Sequence, residues 1–174
     1  MTVYIALLRG INVSGRNKLP MADLRTLVID AGGTEVRTYI QSGNVVFRAT
    51  KADARAIEER IRDVFGFEVT VVLRTGPELA AAAAHNPFLV RGAETKPLYV
   101  VFLDREAAAD AVHQLDPDRS PGDHFSVHGR EVYLDLPTGA GRTKLNLDYL
   151  ERRLKVKGTA RNWNTVLKLV DLTG

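Results

Sequence analysis

Three cationic side chains stand close together in the stretch LLRGINVSGRNKLPM, residues 7–21. They are Arg9, Arg16 and Lys18, and guanidinium and ammonium groups of this kind recognise phosphate and carboxylate groups. The stretch follows an apolar strand and precedes a helix, a connection that usually takes roughly two to six residues. Its length and its charge together predict a loop that lines a pocket for a small anionic ligand.

The elements around this loop place a second polar segment beside it. The spacing predicts a strand over 3–8, apolar on both faces and therefore covered on both sides. Two further strands over 35–40 and 45–48 are joined by a turn with the sequence QSGN. In a βαββαβ sheet, the end of the first strand and this turn lie at the same edge. The helix that begins near Pro20 also points its N–H groups and its positive dipole end toward this edge. The predicted ligand-binding wall consists of Arg9, Asn12, Lys18, Ser42 and Asn44.

A structural interpretation of the same residues stays open. Gly10 and Gly15 then serve only to bend the chain, and the asparagines bond to the backbone of their own loop, as asparagines in turns often do. Arg9 then pairs with a buried acid. Ser42 is interpreted as a turn residue rather than a nucleophile, because no base accompanies it.

Two stretches in the second half suggest a further anion-binding wall. PTGAGRTKLN is a glycine-rich loop before a helix, although its spacing differs from that of a P-loop. GTARNWNTVLKLV begins the last helix, with polar residues at its N-terminus. Trp163 lies on the apolar face of this helix, so we assign it to the core. The candidate residues of this second wall are Lys144, Arg161 and Asn162.

The order of predicted elements indicates the α+β class. The N-terminal half has the ferredoxin-like order βαββαβ, and the second half has a degenerate ferredoxin-like order, βαββ followed by two C-terminal helices. We predict a ferredoxin-like subdomain over 1–75, a helical connector over 76–96, and a second α+β subdomain over 97–174.

Composition excludes several classes of function. The 174 residues include no cysteine, so disulfides, thiolate metal sites and cysteine catalysis are absent. The four histidines have no carboxylates at a familiar metal spacing, so we predict neither a metal site nor a cofactor. No secretory signal and no long apolar run are present, so we expect a soluble cytoplasmic protein that does not span a membrane.

Three stretches of the chain resemble one family. LLRGINVSGRNKLPM, TYIQSGNVVF and TARNWNTVLKL are similar to the motifs of an uncharacterised, mainly bacterial group, the domain-of-unknown-function family 1697. That family usually has glycine where this chain has Ser14. The resemblance implies the same α+β fold of ferredoxin-like pieces, and it implies no activity.

Binding of a small anion, such as a nucleotide or a phosphorylated metabolite, is the leading functional hypothesis. Nucleic-acid binding is the alternative, because the segment 142–168 carries eight cationic residues against two acidic ones, a net +6. A protein–protein interaction module that uses a sheet edge or the alanine-rich helix is a third hypothesis. An enzyme is also possible, but the sequence names no acid–base group, and it leaves the oligomeric state open.

Overall fold

Eight strands and seven helices follow one another along the chain, and the computed structural model describes all residues from 1 to 174. In chain order they are β1 (Thr2–Leu8), α1 (Met21–Asp30), β2 (Thr34–Tyr39), β3 (Asn44–Ala49), α2 (Ala54–Phe65), β4 (Val71–Thr75), α3 (Gly76–Ala84), α4 (Pro87–Val90), β5 (Leu98–Leu103), α5 (Ala109–His113), β6 (His124–His128), β7 (Glu131–Asp135), α6 (Leu147–Leu154), β8 (Gly158–Asn162) and α7 (Trp163–Thr173).

The first half forms a four-stranded antiparallel sheet in the order β2-β3-β1-β4. Helices α1 and α2 present apolar stripes to one face of this sheet, because Leu24, Leu27 and Ile61 follow helical spacing. Asp53 caps α2 by accepting a hydrogen bond from the backbone of Arg55. This packing fixes the ends of β1 and α1 relative to each other.

Strand β1 is buried on both faces, as its sequence predicts. Ala6 and Leu8 belong to the core beneath the two helices, and Ile5 and Leu7, on the opposite face, are also fully buried. Alternation of side chains along a strand means that both faces of the sheet are covered at this strand.

The second half repeats the same topology. Its sheet has the order β6-β7-β5-β8, again antiparallel throughout. The core cluster of this half includes Val101 and Leu134 from the sheet and Leu150 and Leu154 from α6. The predicted α+β class with two ferredoxin-like halves is therefore confirmed.

Strand β8 is the element that the sequence did not reveal, and it gives the second half all four strands. Its sequence, GTARN, lacks the apolar alternation that indicates a strand, so it resembles a loop between two helices. Pairing with β5 defines it instead. A Cβ atom at Gly158 would lie 2.9 Å from the carbonyl oxygen of Phe102, so glycine permits the close approach of the two backbones.

The chain divides into two units. The first comprises residues 1–81 and 168–174, and the second comprises residues 82–167. The last turns of α7 thus belong with the first sheet, where Arg37 of β2 donates a hydrogen bond to the carbonyl oxygen of Leu172. None of the helices is both long enough and apolar enough to cross a membrane.

Candidate functional site

The loop over 9–18 and the turn over 40–44 meet at one edge of the first sheet, which we call the rim. The backbone N–H of Leu8 donates to the carbonyl oxygen of Gly43 at 2.9 Å. A Cβ atom at Gly43 would lie 2.8 Å from the Cβ of Leu8 and 2.9 Å from the Cδ1 of Ile11. Glycine at position 43, with a φ of 88°, therefore lets the turn press directly against the start of the loop.

The centre of the loop is a miniature hairpin. The backbone N–H of Asn12 donates to Asn17 O at 3.0 Å, and that of Arg16 donates to Val13 O at 2.9 Å. Ser14 and Gly15, at the tip, both have positive φ angles, of 51° and 75°. Two consecutive positive φ angles are the mark of a tight hairpin turn, which glycine adopts more readily than serine.

Asn12 ties the hairpin to its surroundings through three side-chain hydrogen bonds. Its Nδ2 donates to the carbonyl oxygens of Leu19 and Gln41, both at 2.9 Å. Its Oδ1 accepts from the backbone N–H of Leu19 at 2.8 Å. Asn12 therefore closes the base of the loop and joins it to the neighbouring turn. These bonds use both hydrogens of the amide, so the side chain positions the rim instead of offering donors to a ligand.

Asn44 plays a similar part inside the turn. It is fully buried, and its Nδ2 donates to Tyr39 O at 2.9 Å and to the Oγ of Ser42 at 3.0 Å. Direct contact of Asn44 with a ligand is thus excluded by its burial, which corrects the expectation that it lines an open wall. Ser42 is exposed and holds the position of a turn residue.

The rim concentrates unusual backbone conformations. Six residues other than glycine have positive φ in this protein, and four of them, Asn12, Ser14, Asn17 and Ile40, lie at the rim. Ile40 is the most costly of these, because a β-branched side chain at a φ of 50° is sterically strained. Such strain amounts to roughly 1–3 kcal/mol and clusters at sites where a fixed conformation is needed for function.

Three cationic side chains lie on the backbone of the rim. Arg16 and Lys18 are exposed, and Arg9 is half-buried at the end of β1, where its backbone N–H donates to Thr70 O at 3.0 Å. Neither the connection over 9–20 nor the turn over 40–43 contains an acidic residue. Arg16 and Lys18 therefore place positive charge at the surface of a backbone that hydrogen bonds hold in place.

Backbone N–H groups of the glycine-rich loop PTGAGRTKLN form hydrogen bonds within the protein. The backbone N–H groups of residues 142 and 143 donate to Gly139 O, and that of Lys144 donates to the Oγ of Ser120 at 3.1 Å. These groups are therefore unavailable to cradle a phosphate, and only the exposed side chain of Lys144 fits the expected wall. The loop is a structural connection.

A buried carboxylate anchors this loop. Asp123 accepts hydrogen bonds from Thr138 N at 3.1 Å, from Thr138 Oγ1 at 2.5 Å and from Ser120 Oγ at 2.8 Å. Burial alone would raise the pKa of Asp123, but the hydrogen bonds from Thr138, Ser120 and Thr143 together lower it. By contrast, burial raises the pKa of Asp135, which the neighbouring Asp123 raises further and His124 opposes.

Arg161 and Asn162, which were expected to line a second wall, form hydrogen bonds within the protein instead. Arg161 lies in β8 and is only 7% exposed, and its Nη1 donates to Thr159 Oγ1 at 2.6 Å and to Ala160 O at 2.8 Å. Burial lowers its pKa to about 10. Asn162 is exposed, and its Oδ1 accepts a hydrogen bond from Thr165 N, so it caps the start of α7. Both residues thus have structural partners.

The basic segment over 142–168 is distributed over several elements. It runs through α6, β8 and part of α7, and Lys168 belongs to the first unit while the rest belongs to the second. Its cations other than Arg161 are exposed. The charge of the segment is therefore spread over two helices and a strand.

Comparisons with known proteins agree with this fold. The model of a family described as "Protein of unknown function (DUF1697)" matches residues 1–133. The chain belongs to this family. A solved structure, that of a conserved bacterial protein from Streptococcus pneumoniae, is similar to it with a TM-score of 0.76 at 24% identity, over 99% of this chain and 98% of that chain. This likeness concerns the fold alone. No curated protein matches the sequence.

Proposed function

We propose that the rim of the first unit binds a small anionic ligand, such as a nucleotide or a phosphorylated metabolite. The proposal is supported by the different lengths of two equivalent connections within the chain. The connection between β1 and α1 takes 12 residues, 9–20, whereas the equivalent connection between β5 and α5 takes five, 104–108. Both join the same two elements of the same topology, so the fold itself does not need the longer connection.

The additional residues have the properties of a binding loop. They bring Arg16 and Lys18 to the rim beside Arg9, and they add no acid. Asn12 fixes their conformation through three hydrogen bonds, and a loop held in one conformation loses little entropy when a ligand binds. In this proposal the three cations contact the anion, while Asn12 and Asn44 position the backbone.

A thermal-shift screen tests this function. The panel contains inorganic phosphate, pyrophosphate, nucleotides, sugar phosphates, dicarboxylates and short RNA and DNA, each at two salt concentrations. A ligand at 100 times its Kd stabilises a protein by about 2.7 kcal/mol, which is a shift of several degrees at this size. We expect at least one small anion to raise the Tm of the wild type.

Two double variants decide where that anion binds. Arg16→Ala/Lys18→Ala removes two exposed cations of the rim, and Arg55→Ala/Arg60→Ala removes two exposed cations of α2 in the same unit. The proposal requires the first variant to lose the shift and the second to keep it. A shift of equal size in both folded variants, or no shift with any small anion, would contradict it.

A further inference from the structure

A cavity of about 660 Å³ lies on the second unit, between the C-terminal turn of α6 and the segment that contains α5. We call it the α5–α6 groove. Its volume falls in the range of small-molecule sites, roughly 300–1,000 Å³. The side chains that give it charge come from two separate parts of the chain, which the fold brings together.

Four cations line the groove: Arg105 before α5, and Arg152, Arg153 and Lys155 at the end of α6. Two acids, Glu106 and Asp110, also line it, so the charged side chains sum to +2. All four cations are exposed, and Arg152 and Lys155 form no side-chain ion pair or hydrogen bond. The acids therefore leave positive charge in the groove uncompensated.

Two of the cations are held by contacts within the protein. One Nη2 hydrogen of Arg105 donates to Lys155 O at 3.0 Å, which fixes its guanidinium at the wall of the groove. The Arg153 guanidinium lies 5.6 Å from the centre of the Tyr149 ring. Tyr149 is itself buried, and its hydroxyl accepts a hydrogen bond from the backbone of Asp116. These supports pre-organise donors before any ligand arrives.

Stabilisation of the helix dipole explains part of this arrangement. Arg152 and Arg153 lie in the last turn of α6, where cations interact favourably with the carbonyl end of a helix. That role needs only surface charges on the helix. It does not account for a cavity between these cations and a second element.

We infer that the α5–α6 groove binds the phosphate groups of a small phosphorylated molecule. Guanidinium groups offer paired N–H donors that match phosphate oxygens, and Lys155 adds a mobile point charge. Several cations around one cavity suit a ligand with more than one phosphate charge. This site belongs to the second unit and shares no residue with the rim, so it stands independently of the function proposed above.

A pyrophosphate titration of the 15N-labelled full chain, followed by amide NMR, tests the inference. Backbone amides of 105–114 and 152–156 report the groove, and those of 9–18 and 40–44 report the rim in the same spectra. We expect saturable shifts at the groove in the wild type and at least a tenfold weaker Kd there in Arg152→Ala/Lys155→Ala. Arg91→Ala/Lys96→Ala, which removes two exposed cations elsewhere in this unit, should bind as the wild type does.

Absence of groove shifts at millimolar pyrophosphate, or an unchanged Kd in a folded Arg152→Ala/Lys155→Ala variant, overturns the site. A parallel titration with a short single-stranded RNA separates the groove from nucleic-acid binding. Suppose that RNA binds with an affinity that falls steeply with salt, that Arg142→Ala/Lys144→Ala weakens this affinity as much as Arg152→Ala/Lys155→Ala does, and that pyrophosphate does not bind. The cations then act as a diffuse nucleic-acid surface, and the groove is not a phosphate site.

Discussion

The role of Asn12 as the tie at the base of the rim leads to a prediction with an internal control. Asn12 and Asn17 have nearly the same backbone conformation, with φ angles of 55° and 51°, so alanine incurs a similar backbone cost at either position. Their side chains differ, because Asn12 makes three hydrogen bonds and Asn17 makes one, from its Nδ2 to Gly10 O at 3.1 Å. The comparison of Asn12→Ala with Asn17→Ala therefore isolates two hydrogen bonds.

The expected difference is roughly 1–3 kcal/mol in the free energy of unfolding, because each hydrogen bond contributes about 0.5–1.5 kcal/mol. For a protein of this size, about 2 kcal/mol corresponds to a Tm roughly 4–8 °C lower for Asn12→Ala than for Asn17→Ala. Urea unfolding followed by circular dichroism, with Tm measured in parallel, provides the assay. Equal stabilities of the two variants would refute the conclusion that the hydrogen bonds of Asn12 hold the loop to the neighbouring turn.

Three other substitutions test the same framework. Gly43→Ala places a methyl group against Leu8 and Ile11, so urea unfolding should show a loss of about 1–3 kcal/mol, and an unchanged midpoint would contradict the close approach. Ser14→Gly relieves a positive φ and should raise the stability by up to about 1 kcal/mol; a lower stability would argue against the strained turn. The lowered pKa of Asp123 means that its ionised form stabilises the fold above about pH 4 and that this contribution is lost as the pH falls further. Asp123→Asn should therefore lower the Tm near neutral pH, and the difference from the wild type should narrow below about pH 4; a pH-independent difference would reject the carboxylate as its source.

The sequence predicted the first half well because its signals are local. The apolar strand over 3–8, the QSGN turn and the helix start near Pro20 can each be recognised within a few residues. The meeting of the loop over 9–18 with the turn at Gly43 also followed from topology alone. The sequence alone does not show whether the asparagines at the rim contact a ligand or bond to the backbone. That distinction requires the positions of their acceptors, Leu19 O, Gln41 O and Tyr39 O.

The second half was harder to predict because its decisive features are not local. Strand β8 is defined by its pairing with β5 and by the space at Gly158, not by its own pattern. Helix α5 spans only Ala109–His113, and its N-cap residue, Ala108, makes no side-chain capping bond. The α5–α6 groove joins Arg105 to cations of α6, and a cavity between two segments has no signature in the sequence.

The proposed anion site at the rim is tested most directly by the pyrophosphate titration read at the amides of 9–18 and 40–44. We predict saturable shifts of these amides in the wild type and in Arg55→Ala/Arg60→Ala, and a Kd at least tenfold weaker in a folded Arg16→Ala/Lys18→Ala variant. Rim amides that do not respond to pyrophosphate or to any small anion of the screening panel would contradict the proposal, as would the same Kd in all three proteins.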